Sequence, residues 1–317
     1  MKISCTHIPL LGDFGQAESE LWLTELRAVM PQFTICSINE LGEAEKKKVE
    51  VAIVANIEAD VTKQLPNLRW VQSLWAGVDS LMPAIRQNQL KVVRMVDPQL
   101  AKSMSDSVLL WTMYLHQQSH TYRLQQQNAE WKQHLTKLPR ETRVGILGLG
   151  NLGTEAAMRL KENGFKVRGW SRNAKKVEGI ESLHGTNGLD EVLQTSGILV
   201  VLLPLTDQTR YLLNKNNLSK MPDGAAVINF ARGAIIQTHD LLHCLDAGHL
   251  CHAVLDVFEQ EPLPQTSPIW SHPKITVLPH VSAQTNPKTA SKVVAKNMVN
   301  YFESGVIPEY VDVNEGY

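Results

Sequence analysis

Six residues near the middle of the chain, Gly148-Leu149-Gly150-Asn151-Leu152-Gly153, restrict the fold more than any other segment. They follow Val144 to Leu147, a run with no polar side chain, and they precede Thr154 to Asn163, which reads as a helix. A strand apolar at every position is buried on both faces, as in a parallel sheet covered by helices. The pattern G-x-G-x-x-G is weak alone and informative at such a strand-to-helix junction. Gly148 permits the tight turn, and Gly150 lets the backbone approach a pyrophosphate. Gly153 lets helix and strand pack closely, with the helix N-terminus facing the negative charge. The turn therefore predicts a dinucleotide-binding half built on a parallel sheet.

The rest of the chain fits that frame. Strand-like runs at Lys2–Cys5, Phe33–Ile38, Val51–Val54, Trp70–Leu74 and Val92–Val96 are separated by polar or helical segments, the first of them a helix over Glu18–Met30. The alternation predicts a small flavodoxin-like parallel layer. Ser103 to Gln127 reads as one long helix, capped by Ser103 or Ser105, with Val108, Leu109, Trp111 and Leu115 at helical spacing. A polar link, Leu138 to Thr142, leads into a second series of strands at Val144–Leu147, Lys166–Trp170, Ile198–Leu203, Ala226–Asn229, Ala253–Val257 and Ile275–Val277. A closing helix spans Thr289–Phe302. At 317 residues the chain is long for one compact core. We expect an α/β protein of two Rossmann-like or flavodoxin-like, doubly wound parallel-sheet domains, with the active site in the cleft between them. Residues 103–284 would form the NAD(P)-binding domain. Residues 1–102 would join 285–317 in a substrate domain, because the chain must cross back after its last strand.

Composition narrows the class. A net charge of −1 gives no electrostatic reason to expect nucleic acid or membrane as a partner. No apolar run approaches the roughly 18 residues of a membrane-spanning helix, and the N-terminus lacks the apolar stretch of a secretion signal. Cys5, Cys36, Cys244 and Cys251 show no metal-type or redox-type spacing, which predicts reduced thiols in a cytoplasmic protein. His239 and His243 lie four apart on a probable helix, but nothing completes a metal site, and none is expected.

The end of the second cofactor-domain strand reads the adenosine ribose. An acid there would accept hydrogen bonds from the 2′-hydroxyl of NAD. This chain has Trp170-Ser171-Arg172, with Lys175 and Lys176 just beyond. Ser171 and the planar donor fork of Arg172 suit a 2′-phosphate. The expected cofactor is NADP in preference, with NAD possible.

Three later segments supply an arginine, an acid and a histidine. Arg232 lies in Asn229-Phe230-Ala231-Arg232-Gly233, Glu261 in Asp256-Val257-Phe258-Glu259-Gln260-Glu261-Pro262, and His280 in Pro279-His280-Val281-Ser282-Ala283. Each follows the carboxyl end of a strand, the edge where open α/β sheets bind ligands. Reduction of a 2-keto acid puts hydride on C2 and a proton on the carbonyl oxygen. Histidine gives such a proton near neutral pH, and a carboxylate on its other nitrogen orients the ring. Arginine binds a substrate carboxylate and polarises the carbonyl.

These motifs, in this order and spacing, resemble the D-isomer-specific 2-hydroxyacid dehydrogenases over essentially the whole chain. Within that family Trp170-Ser171-Arg172, Glu261-Pro262-Leu263-Pro264, Ser267-Pro268-Ile269-Trp270 and the closing Gly316-Tyr317 resemble the glyoxylate/hydroxypyruvate reductase branch. The resemblance implies His280 as acid/base, Glu261 as its partner and Arg232 as the substrate-binding residue. It implies that Ala76, Gly77, Val78 and Asp79 form the loop whose backbone amides hold the substrate carboxylate; Trp75 just before it is a further substrate-binding candidate, which would wall the pocket or simply pack. Leu203, Pro204, Thr209, Phe230, Ala231, Asp256 and Ala283 would line the cofactor. The resemblance also suggests a homodimer built around the long helix, through residues such as Trp111, Met113 and Tyr114. There are departures: Trp75 replaces a smaller residue, Asn286 stands where the branch often has arginine, and Asp106-Ser107 replaces a Glu-Tyr pair. Two other readings stay open: a dehydrogenase of another D-2-hydroxy acid, such as lactate or phosphoglycerate, and a non-catalytic dinucleotide sensor.

Overall fold

The computed structural model describes residues 6–12, 14–55, 60 and 63–312. The expected strand at Lys2–Cys5 and the closing Gly316-Tyr317 lie outside the described residues. The chain divides into two compact units, one formed by Met1–Gln99 with Thr285–Tyr317 and the other by Leu100–Gln284.

The first unit contains β1 (His7–Leu11), β2 (Thr34–Ser37), β3 (Val51–Val54), β4 (Trp70–Ser73) and β5 (Lys91–Val93). All pair in parallel, in the order β2-β1-β3-β4-β5. This is the flavodoxin-like order. Every residue of β3 and β4 is buried, as strands sandwiched between helices require. Helices Gln16–Val29 and Pro287–Ser304 share one core with the sheet. Trp22, Leu26, Val294, Met298 and Tyr301 pack there with Ile8 and Trp70. Removing such side chains from water contributes about 1.5–3 kcal/mol each. Polar Gln72 in β4 is fully buried and satisfied: its Nε2 donates to the Val93 carbonyl (3.2 Å), and its Oε1 accepts from Asn297 (2.8 Å). Asn286, a departure from the branch pattern, caps the C-terminal helix by accepting from the Lys288 N–H at 3.0 Å.

The second unit contains β6 (Arg143–Leu147), β7 (Lys166–Ser171), β8 (Glu181–His184), β9 (Ile198–Val201), β10 (Ala225–Asn229), β11 (Leu250–Leu255) and β12 (Ile275–Val277). Their order is β12-β11-β10-β9-β6-β7-β8, again wholly parallel. The direction of winding reverses between β6 and β9, the switch point where doubly wound sheets bind ligands. Leu147, Val201 and Val227 enter a core on one face, and Ile146, Val200 and Ile228 enter another. Both parallel sheets agree with the fold class expected from the alternating runs.

The long helix differs from its expectation. It begins at Pro98, and Ser103 and Ser105 lie inside it rather than capping it. Asp97 holds the start instead, accepting from the Gln99 N–H at 2.9 Å, while Pro98 supplies the fixed φ of a first helical residue. The helix ends at His116, and a second spans Ser119–Gln127. Between them Gln118 takes a left-handed conformation (φ 55°), which no continuous helix tolerates. Trp111, Met113 and Tyr114, expected at a dimer surface, are half-buried against the core of their own unit.

Candidate active site

β6 ends at Leu147, and the chain turns at Gly148 with φ +104°. A Cβ on Gly148 would stand 2.6 Å from the Leu202 carbonyl oxygen, and one on Gly153 would stand 1.8 Å from that of Gly148. Neither position takes a side chain without moving backbone. Gly150 differs: no atom lies within 4 Å of where its Cβ would stand. It is the residue before the helix Asn151–Glu162 and has no side chain to cap that helix's first N–H groups. Open space before an uncapped helix N-terminus fits a pyrophosphate. Asn151 is exposed there, while Leu152 packs on the core. Leu149 is buried, so it offers a ligand only its backbone. Its carbonyl accepts from the Thr154 hydroxyl (3.2 Å) and from the Lys175 ammonium.

At the end of β7, Trp170 is buried and donates its indole N–H to the Gly185 carbonyl (2.8 Å). Ser171 donates to the Asn173 carbonyl (2.8 Å), which folds the basic loop back on itself. Arg172 donates to Gln208 Oε1 at 2.9 Å. Gln208 belongs to the turn after β9, where Thr209 donates to the Pro204 carbonyl at 2.7 Å. Leu203, Phe230 and Ala231 are buried, and Ala283 is half-buried against the same core as Phe230. The turns after β7 and β9 are thus tied together by the arginine expected to read the ribose.

The three candidate residues, Arg232, Glu261 and His280, follow β10, β11 and β12, adjacent strands of the sheet. His280 Nδ1 lies 2.7 Å from Glu261 Oε2, and the other Glu261 oxygen accepts from the Phe258 N–H at 2.9 Å. With Nδ1–H donating to the carboxylate, Nε2 is the ring nitrogen left for a substrate. Both side chains keep access to solvent, 52% for His280 and 35% for Glu261. Arg232 donates to the carbonyl of Ala231 at 2.8 Å. Its backbone is shaped by Asn229, which accepts from the Ala231 N–H (3.1 Å) and donates to the Arg232 carbonyl (3.0 Å). The Asp256 N–H in turn donates to the Asn229 carbonyl (3.1 Å), which joins the ends of β10 and β11.

His280 has φ 55°, a left-handed backbone that costs a non-glycine residue about 1–2 kcal/mol. Such a conformation persists where the surroundings over-determine it, and it concentrates at working sites. Asp256 supplies part of the constraint. Its carbonyl accepts from the His280 N–H (3.0 Å), and its two carboxylate oxygens accept from Val281 (2.8 Å) and Ser282 (2.9 Å). Asp256 is 2% exposed and spends both oxygens on this loop, a role that its expected place along the cofactor did not include.

In the first unit, Trp75 to Val78 follow the carboxyl end of β4. Among the described residues, no hydrogen bond engages the backbone N–H of Ala76, Gly77 or Val78. Consecutive unengaged amides suit a carboxylate. The Trp75 ring lies edge-on to Trp22, with centroids 6.2 Å apart, and is only partly buried against that core.

Sequence reasoning passed over Asn229 as a site residue, and Gln208 entirely. Asn229 carried a signal, a polar residue ending an otherwise apolar strand. Gln208 carried none, since its partner Arg172 lies 36 residues earlier.

Residues 109–282 match the family model of the D-isomer specific 2-hydroxyacid dehydrogenase, NAD binding domain. The chain is 34% identical to the glyoxylate/hydroxypyruvate reductase A of Yersinia enterocolitica, covering 95% of this chain and 97% of that one. Its fold is similar to a D-isomer specific 2-hydroxyacid dehydrogenase from Xanthobacter autotrophicus Py2, solved with NADPH and MES. There the TM-score is 0.91 and the identity 34%, over 98% of this chain and 99% of that one. It is also similar to the NADPH-dependent glyoxylate/hydroxypyruvate reductase of Sinorhizobium meliloti, solved with NADP and sulfate (TM-score 0.90, 32% identity, 98% and 100% coverage). The dinucleotide turn, the His280–Glu261 pair and these likenesses agree: the chain belongs to the D-isomer-specific 2-hydroxyacid dehydrogenase family.

Proposed function

We propose that the protein is an NADPH-dependent reductase that converts a small 2-keto acid, of the glyoxylate or hydroxypyruvate type, into the 2-hydroxy acid. The observation that carries this reading is the 2.7 Å His280–Glu261 contact at the sheet edge that also bears the dinucleotide turn. Residues 103–284 serve as the nucleotide-binding domain, and residues 1–102 with 285–317 as the substrate domain. Both named reductases above act on this pair of keto acids. The basic loop of Ser171 and Arg172, with Gln208 holding the guanidinium, supports NADPH over NADH.

When bound, the reduced nicotinamide supplies the hydride that adds to C2. His280 then gives the Nε2 proton to the carbonyl oxygen, while Glu261 fixes the ring through Nδ1. Arg232 binds the substrate carboxylate and draws electron density from the carbonyl. Ala76, Gly77 and Val78 offer consecutive backbone amides suited to a carboxylate. The purified protein, assayed with a panel of 2-keto acids and both reduced cofactors, tests the reading. Turnover of glyoxylate or hydroxypyruvate with NADPH is expected, and no turnover of any keto acid with either cofactor overturns it.

The same reading includes a homodimer in the cytoplasm. Leu110 (60% exposed), Trp131 (96%) and Leu135 (98%) present large apolar side chains to solvent. Burying them against a second copy removes that cost. A monomer mass at every concentration overturns the dimer. Cys36, Cys244 and Cys251 are free thiols, which supports a reducing compartment. No described helix is long and apolar enough to cross a membrane.

A further inference from the structure

We propose that Ser107 is a positioning residue for His280, acting through the carbonyl of Ser282. The inference rests on the reading of His280 as proton donor and adds a residue from outside the strand-end motifs.

The His280 loop needs to be held, because its backbone sits in a left-handed conformation at the reactive residue itself. Asp256, at the end of β11, takes the N–H groups of His280, Val281 and Ser282. Those bonds fix where the amides point. They leave the carbonyl side of the loop without a tie to any second element. Ser107 supplies one: its hydroxyl donates to the Ser282 carbonyl oxygen, from the helix Pro98–His116. Ser282 is 6% exposed, so water is a poor substitute for that donor. The helix is itself fixed on the sheet by Met104, Val108 and Leu115, which are buried in the core with Leu149 and Ile228. The loop is therefore gripped between a strand end and a packed helix, with His280 two residues from the grip. A serine hydroxyl reaches only one bond beyond Cβ, so this bond exists only while the loop lies against the helix. Loss of the hydroxyl lets the peptide at Ser282 rotate, and with it the aim of His280 Nε2 at the carbonyl oxygen of the substrate.

The test compares Ser107→Ala, Ser107→Thr, Asp106→Ala and His280→Ala. Alanine is the best helix former, so Ser107→Ala leaves the helix intact. Asp106 is the neighbouring control: it pairs on the surface with Arg159 at 3.0 Å and does not touch the loop. The readouts are kcat at saturating NADPH, KM for NADPH, and the primary isotope effect with 4-deuterated NADPH. Ser107→Ala is expected to lose about 10-fold in kcat, since small misplacements of reacting groups cost up to about 100-fold. Its isotope effect on kcat rises, its KM for NADPH stays within about 2-fold, and Ser107→Thr recovers most of the rate. A merely structural role predicts neither the larger isotope effect nor the rescue by threonine. Wild-type kcat in Ser107→Ala, alongside a crippled His280→Ala, overturns the role of Ser107 alone. An equal loss in Asp106→Ala, or no recovery in Ser107→Thr, also overturns it. Wild-type kcat in His280→Ala would instead sink the reading of His280 as proton donor.

Discussion

Alanine at Gly150 and at Gly153 should separate folding from cofactor binding, because the two glycines are kept for different reasons. At Gly153 the added methyl would stand 1.8 Å from the Gly148 carbonyl oxygen, against ordinary contact at about 3.4 Å or more. The helix Asn151–Glu162 has to back away from the turn by more than an ångström. Overpacking of this kind costs about 1–3 kcal/mol, and here it falls on backbone that cannot change rotamer. At Gly150 the methyl meets no atom within 4 Å, and the backbone (φ −71°, ψ −165°) suits alanine. Two small terms oppose each other there. Alanine restricts the unfolded chain, worth about 0.4–1 kcal/mol, and alanine is a poorer cap than glycine by a comparable amount. Gly150→Ala should therefore unfold in urea within about 1 kcal/mol of wild type, while Gly153→Ala unfolds well before it. NADPH affinity, measured by nucleotide fluorescence, should fall by at least 10-fold in both, about 1.4 kcal/mol or more. For Gly150→Ala that loss comes from the methyl occupying the ground the pyrophosphate needs. If Gly150→Ala binds NADPH with wild-type affinity, the pyrophosphate does not approach that atom and the reasoning fails.

Replacing Ser171 by Asp together with Arg172 by Ala should move the kcat/KM ratio from NADPH towards NADH by about 10-fold or more, because it removes the donor fork and adds a repelling charge. An unchanged ratio refutes the basic-loop reading. His280→Ala should lower kcat by roughly 100-fold to 10,000-fold, and Arg232→Ala should raise the keto-acid KM as well as lower kcat. Glu261→Gln keeps the 2.7 Å contact and loses the charge, so kcat should drop while NADPH affinity stays near wild type. Stability should fall in acid through His252. Burial, helped by His120 stacked 4.5 Å away and by His272 and Arg123, drives its pKa from 6.5 to about 3. The fold keeps this ring neutral, so the unfolded chain takes up the proton first. Its contribution is complete above pH 6.5 and is lost as pH falls below it, about 2 kcal/mol by pH 5. His252→Gln can still meet Thr276, the present partner of Nε2 at 2.9 Å, and should flatten the pH dependence of the urea midpoint. Identical pH dependence in the two proteins contradicts the assignment.

What could be read from the sequence follows from how each signal is encoded. The parallel sheets were legible because a strand buried on both faces leaves a mark in its own residues, as Ile198 to Val201 and Ala225 to Asn229 do. β8 was missed for the same reason in reverse: Glu181 to His184 lies at the sheet edge, with no fully buried position, and carries no apolar run. The break at Gln118 was illegible because glutamine favours helix, and only the left-handed backbone reveals the turn. Arg232, Glu261 and His280 stood out by residue type, since few residue types can bind a carboxylate or move a proton, and the fold places each just past a strand of one sheet.

The residues that hold the His280 loop in place are of another kind. Asp256 was expected along the cofactor from the family resemblance, and its oxygens also meet the amides of Val281 and Ser282, 25 and 26 residues further on. Ser107 looked like a departure from a family pair, yet its hydroxyl meets a carbonyl 175 residues away. Each acts on backbone, and backbone N–H and C=O groups are the same at every position, so the partner's identity leaves no trace in the sequence. Side-chain chemistry therefore singles out the groups able to react. The fixing of a strained loop can be seen only once the fold has brought a strand end and a helix against it.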